Sequence, residues 1–297
     1  MTSPETSLDG VRRELGALRE ELSGLTAHLR TLQRQADQLA ALHAEEPDAA
    51  AKVERLERVL TFEKVAAHFR DAVAQAPLIQ DPVPHLWVSQ LLPPDVYQAV
   101  IDAIPARAFF DDRAADANEL RVPPRVAPTH SIVTWAFLTD VVLRALSSAL
   151  VARFHEPLAA FTSARFPTLP PFGEWDVEVT LSQGRIVLRG PGYVGAPLPD
   201  RPWDFLTTVV CLARPNDDEA FGSRLHGNAF PFRANSALTF LGPAQAHEYL
   251  SIPHGEARAT DRYTYEFGVG PTREGRRTLT AMMKNDPARA ASAFDLY

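Results

Sequence analysis

A leucine repeat near the start of the chain constrains its shape more than any other feature of the 297 residues. Leu8, Leu15, Leu22, Leu29 and Ala36 recur at one position of a seven-residue cycle, and Val11, Leu18, Leu25, Leu32 and Leu39 at another. Apolar residues sustained at these two positions mark a coiled coil, because an α-helix keeps such a seam on one side only by winding around a partner. Over residues 8–43 the helix would extend about 54 Å, and its isolated seam needs another helix to bury it. Self-association is the simplest source of that helix; a seam folded back on the chain's own later helices is the alternative. In a parallel dimer Glu14 would flank the seam opposite Arg19 of the other chain, although Leu at both seam positions leaves strand number and orientation open. Gly10, Gly16 and Gly24 weaken the helix by about 1 kcal/mol each relative to Ala.

The polar stretch "HAEEPDAAAK" breaks the repeat around Pro47. It divides the chain into an N-terminal coiled-coil helix (1–45), a linker and helix (46–80) and a larger domain (81–297). Val53, Leu56, Val59 and Leu60 return at helical spacing, and "FEKVAAHFRDAVAQA" carries the pattern to Ala76. A strand, "PHLWVSQLL", precedes a helix opened by "PPDVYQAVIDAI", whose Pro pair and Asp95 suit a helix start. The run from Thr134 to Phe166 gives one or two further helices.

From Trp175 onward the texture changes. "WDVEVTLS" and "RIVLRG" alternate as strands paired around the turn "QG", and "DFLTTVVCLA", "NSALTFLG" and "RYTYEFGVG" are further β-rich runs. Strands at this spacing after a helical half predict an α+β chain, an antiparallel sandwich or barrel with helices packed outside.

Composition narrows the function classes. A chain with 45% hydrophobic and 23% charged residues is ordinary for a globular protein, and a net charge of −7 argues against a nucleic-acid partner. No leader-like segment opens the sequence and no apolar run approaches the roughly 20 residues of a membrane span, so no membrane partner and a cytoplasmic location are expected. The single cysteine, Cys211, excludes an intrachain disulfide, and its setting "TTVVCLA" reads as a core strand.

Four segments between Pro82 and Pro271, taken in order, resemble the iron(II)/2-oxoglutarate-dependent dioxygenase superfamily, particularly its prolyl-hydroxylase-like branch. "DPVPHLWVSQLLPPDVYQAVIDAIP" is similar to the strand and helix that open that domain. "RGPGYVGAPLPDRPWDFLTTVVCLARPND" is similar to the region carrying His-x-Asp, "PFRANSALTFLGPAQAHEYLSIP" to the region of the distal His, and "DRYTYEFGVGP" to the strand bearing an Arg for the co-substrate. The resemblance implies a double-stranded β-helix core, jelly-roll or cupin-like, with flanking helices. It also implies iron(II) and 2-oxoglutarate as cofactors, and hydroxylation or a related oxidation of a small-molecule or peptide substrate.

Two His and one carboxylate leave three positions open on iron, for a chelating 2-oxoacid and dioxygen. A planar guanidinium pairs bidentately with the far carboxylate of that oxoacid. Carried over position by position, Asp200 is the carboxylate ligand, His247 the distal ligand and Arg262 the co-substrate clamp, with Thr264 offering a hydroxyl to the same carboxylate. The departure is Leu198, which stands where the family places the first His and offers no lone pair. His226, His85 and the "HGE" of His254 to Glu256 do not restore the motif. Trp203 and Phe205, just after Asp200, are expected either at the pocket mouth or in the core.

Three readings follow. The first is an oxygenase holding iron through Asp200 and His247. The second is a metal-free pseudo-oxygenase whose pocket binds a small molecule or protein while the coiled coil, residues 8–43, joins it to a second copy or another partner. The third is a pocket converted to another, non-redox reaction, with Asp200 or His247 as acid or base.

Overall fold

The computed structural model describes residues 4–114, 117–141, 145–175, 177–182, 184–190, 203–242, 247–249 and 261–284. The heptad segment is one uninterrupted helix, α1 (Pro4–Glu45). Pro47 lies in the 3₁₀ turn Glu46–Asp48 that ends it. After the turn come α2 (Ala49–Val59) and α3 (Phe62–Gln75), the second of which buries Val65, Ala66, Phe69 and Val73. The stretch expected as a linker and helix is thus two helices, and both pack into the body: α2 against α4 and α5, α3 against α6 and β2.

β1 (Leu78–Ile79) and β2 (His85–Ser89) follow, then α4 (Pro94–Asp102), which starts on its proline as expected because the first helical N–H has no intrahelical acceptor to lose. β3 (Asp111–Ala114), β4 (Ala117–Arg121) and the helices α5 (Thr129–Val141), α6 (Ser147–Arg153) and α7 (His155–Arg165) complete the first half. The strand-rich half holds β5 (Val179–Leu181), β6 (Arg185–Arg189), β7 (Leu206–Cys211), β8 (Ser223–Leu225), β9 (Asn228–Phe230), β10 (Ser236–Leu241), β11 (His247–Tyr249) and β12 (Arg262–Pro271), with α8 (Arg273–Lys284) after it.

Two antiparallel sheets result. The larger runs β1-β2-β10-β7-β12-β6-β4-β3, with β5 also on β12, and the smaller runs β11-β8-β9. From β7 onward the chain passes to the small sheet for β8 and β9, back for β10, across for β11 and back for β12. Strands distant in sequence therefore become neighbours, as in β6-β12-β7-β10. This interleaving of two facing sheets is a jelly roll, the double-stranded β-helix, here with a helical layer and a long N-terminal helix.

One local expectation fails. β5 and β6 do not form a hairpin around "QG"; β5 pairs with Val269–Pro271 and β6 with Arg262–Glu266, so the two lie in line along β12. The ten-residue β12 is long enough to carry both, and six of its residues also pair with β7 on the other side.

Side-chain alternation separates two environments. Leu86, Val88, Ala237, Val210, Tyr263, Tyr265, Ile186 and Leu188 point from the large sheet into the helices, in one core with Phe69, Trp135, Leu150 and Phe154. Trp135 packs its ring 5.5 Å from that of Tyr265 and donates its indole N–H to the Ala103 carbonyl at 2.9 Å. The opposite face looks toward the small sheet, where Leu238 and Phe240 meet Leu225, Phe230 and Trp87. Trp203 and Phe205 belong to the helical side: Trp203 stacks on Phe166 at 5.3 Å, and Phe205 packs against Phe161, Phe166 and Trp175.

Candidate functional site

The interior between the two sheets changes character across its width. Near β2 and β10 it is apolar; on β6 and β12 the inward positions are ionic. Inward residues on β12 are Arg262, Thr264 and Glu266, and those on β6 are Arg185, Val187 and Arg189, since residues two apart share a face. Arg189, Arg262, Thr264 and Glu266 are each at most 3% exposed. Such polar groups are tolerated inside a fold only when they satisfy one another.

A ladder supplies part of that satisfaction. The register sets Arg189 directly opposite Arg262, an unfavourable like-charge pairing. Arg189 turns along β12 instead, donating from Nη1 to the Thr264 hydroxyl at 2.7 Å and from Nη2 to Glu266 Oε1 at 2.6 Å. Thr264 in turn donates its hydroxyl to Glu266 Oε1 at 2.8 Å. Arg185 links the other carboxylate oxygen of Glu266, at 3.3 Å, to Glu119 of β4, at 2.6 Å. Arg262 donates to the Phe221 carbonyl at the end of the 3₁₀ turn Glu219–Phe221.

Around this ladder Arg189, Val209, Cys211, Gly222, Ser223, Phe232, Arg262 and Thr264 enclose a cavity of about 10 Å³. That is room for about one water molecule. The Cys211 thiol faces it, and burial pushes its pKa up to about 11, so it stays a protonated core residue as expected from its strand. Gly222 gives the wall its closeness, because a Cβ there would sit 1.9 Å from the Phe230 carbonyl oxygen.

The residues expected at the site are placed unevenly. His247 opens β11, paired with Leu225 of β8, and Arg262 opens β12. Thr264 lies two residues further, on the face shared with Arg262. Asp200, Leu198, His254 and Glu256 lie outside the described residues, and only the backbone of His247 is described. Among the described residues, no three His, Cys, Asp or Glu come together as a metal-binding group. His226 and Gly227, both at positive φ (48° and 85°), form the two-residue turn between β8 and β9, and His226 is exposed there. His85 is 2% exposed, holds the Val83 carbonyl at 2.8 Å and packs edge-on to Phe230.

Arg189 and Glu266 were not singled out from the sequence, though a signal existed. In "RIVLR" the two arginines fall on one strand face, and in "RYTYEFG" Arg, Thr and Glu alternate with aromatic residues. Polar residues at every second position of a strand buried on both sides require a shared polar interior.

Comparison with known proteins adds a limited statement. No family and no curated protein matches the sequence. Among solved structures, a 2OG-Fe(II) oxygenase family oxidoreductase from Burkholderia pseudomallei is similar over 71% of this chain and 90% of its own, at 13% identity and a TM-score of 0.40. A prolyl-4-hydroxylase from Pseudomonas putida is similar over 69% of this chain and 99% of its own, at 14% identity and a TM-score of 0.39. HygX from Streptomyces hygroscopicus, solved with nickel, 2-oxoglutarate and hygromycin B bound, is similar over 64% of this chain and 83% of its own, at 10% identity and a TM-score of 0.37. Identities and scores this low carry no argument about chemistry, and the strand order described above carries the fold assignment by itself.

Among the described residues, Thr264 is already engaged within the interior. A hydroxyl has one proton to donate, and that of Thr264 is committed to Glu266.

Proposed function

We propose that this protein is a pseudo-oxygenase: an oxygenase-like jelly roll that does not turn over 2-oxoglutarate and serves as a binding scaffold for a small molecule or a protein. The observation that carries the reading is the bonding of Arg189 to both Thr264 and Glu266 inside the barrel. It supplies from the chain itself the counter-charge and hydrogen bonds that a bound dicarboxylate would otherwise make. Leu198 points the same way, since an apolar side chain at a ligand position suits an apolar neighbour better than a cation.

The test is an anaerobic titration with iron(II), with and without 2-oxoglutarate, followed by a succinate assay once oxygen is admitted. The expected outcome is no 2-oxoglutarate-dependent binding and no succinate. Iron bound only with the co-substrate, together with succinate release, would sink the proposal. That result would establish the second reading, an oxidoreductase with Asp200 and His247 on the metal and Arg262 and Thr264 on 2-oxoglutarate.

A companion variant tests the alignment itself. Leu198→His is expected to raise iron(II) affinity by about ten-fold or more, given what the loss of even an outer partner costs a metal site. Unchanged affinity would mean that Leu198 does not occupy the ligand position.

A further inference from the structure

α1 meets the rest of the protein through one side only. Arg34 donates to the Ala108 carbonyl at 3.2 Å and to Asp111 at 2.7 Å, and Gln38 donates to the Ala108 carbonyl at 2.9 Å. In the heptad these residues hold the positions opposite the leucine seam, so the helix rests on the body by its polar back. Leu15, Leu18, Leu22, Leu25, Leu29, Leu32 and Leu39 are left between 47% and 65% exposed. The seam therefore does not fold back on the chain's own helices.

Such a helix needs support from elsewhere. Long helices in water draw most of their stability from a packed apolar face, and α1 leaves its seam leucines from Leu15 to Leu39 exposed while carrying glycines at positions 10, 16 and 24. Gly16 and Gly24 have open space around them, so they serve no close packing within the chain.

We propose that the seam is covered by α1 of a second copy of this protein, in a parallel, in-register two-stranded coiled coil. Parallel alignment places the position of Glu14 opposite that of Arg19 in the partner, once on each side of the dimer. An antiparallel alignment that stacks Leu15 on the partner's Leu39 instead brings Glu21 to Gln35, Arg19 to Gln33 and His28 to its own counterpart, with no opposite charges meeting. Charge complementarity thus selects the parallel form. The docking side agrees with this pairing: with each body held at the back of its own helix through Arg34 and Gln38, the seam stays open. The pairing is independent of what the interior pocket binds.

The experiment is native mass spectrometry of the full chain at micromolar concentration, with Leu22→Lys/Leu29→Lys and Leu18→Cys as companions. Wild type is expected at the mass of two chains, and the double lysine variant at the mass of one with its near-ultraviolet circular dichroism unchanged, since both positions are exposed. Leu18→Cys is expected to oxidise to a covalent dimer, because a parallel register stacks position 18 on itself, whereas the antiparallel register separates the two by about 27 Å. A monomeric wild type, a mass of three or more chains, or a Leu18→Cys protein that fails to cross-link would each overturn the proposal.

Discussion

At the scale of single residues, the interior ladder makes the sharpest demand on stability. Glu266 faces Arg185 and Arg189 while only 3% exposed, and removing one partner of a buried pair leaves charge stranded in a poor solvent. Glu266→Gln is expected to destabilise by about 3–5 kcal/mol, read as a lowered urea midpoint; an unchanged midpoint would mean that the ladder is not formed. A second buried clasp sits between β2 and β10. Asn235, at φ 59°, receives the Leu92 N–H at 2.8 Å and donates to the Leu92 carbonyl at 2.7 Å. Asn235→Ala would leave both backbone groups without that side chain in a conformation Ala disfavours, and a loss of about 2–4 kcal/mol is expected by the same measurement.

At the scale of elements, β12 is the organising strand, with β5, β6 and β7 all paired to it. Its glycines are the reason it can pass so near the chain beside it: a Cβ on Gly270 would lie 1.9 Å from the Trp203 carbonyl oxygen. Gly270→Ala is expected to lower the melting temperature by several degrees, a shift of more than about 1 kcal/mol, and normal melting would contradict so close an approach. α3 and α4 are joined by Lys64 and Asp95 at 2.5 Å, and the hydrogen bond from Lys64 holds the Asp95 carboxyl below its ordinary value of 3.8. Because the folded-state value is depressed, the contribution is complete above the unfolded carboxyl's pKa and disappears as pH falls through the lower folded value. Both partners are about half exposed, so the effect stays below about 1 kcal/mol. Stability profiles of wild type and Asp95→Asn should converge in acid and separate slightly above about pH 4; curves that separate only in acid would reverse the sign.

At the scale of the whole molecule, the protein is a jelly roll whose helical layer covers one face of the large sheet and whose N-terminal helix rests on the body by its polar back, with its leucine seam exposed. The two parts answer to different tests. Iron and 2-oxoglutarate titrations interrogate the barrel interior, and mass measurements interrogate α1. A protein that is dimeric through α1 and silent toward 2-oxoglutarate would be an assembly scaffold built on a jelly roll. One that is dimeric and releases succinate would be a paired enzyme.

The sequence by itself determined whatever depends on short-range pattern. The heptads specify α1, the Pro pair starts α4, the alternating runs mark β6, β7, β10 and β12, and "TTVVCLA" marks Cys211 as core. Each is set by periodicity or by the preferences of neighbouring residues, which the linear order contains. Only the tertiary structure decided what depends on partners far apart in the chain: that β5 joins β12 and not β6, that Trp203 and Phe205 turn toward α7, and that Arg189 takes Thr264 and Glu266, 75 and 77 residues away. Strand pairing in a jelly roll is non-local. A polar side chain's neighbours are therefore fixed by sheet register, and here register set Thr264, expected to offer its hydroxyl to a ligand, between Arg189 and Glu266.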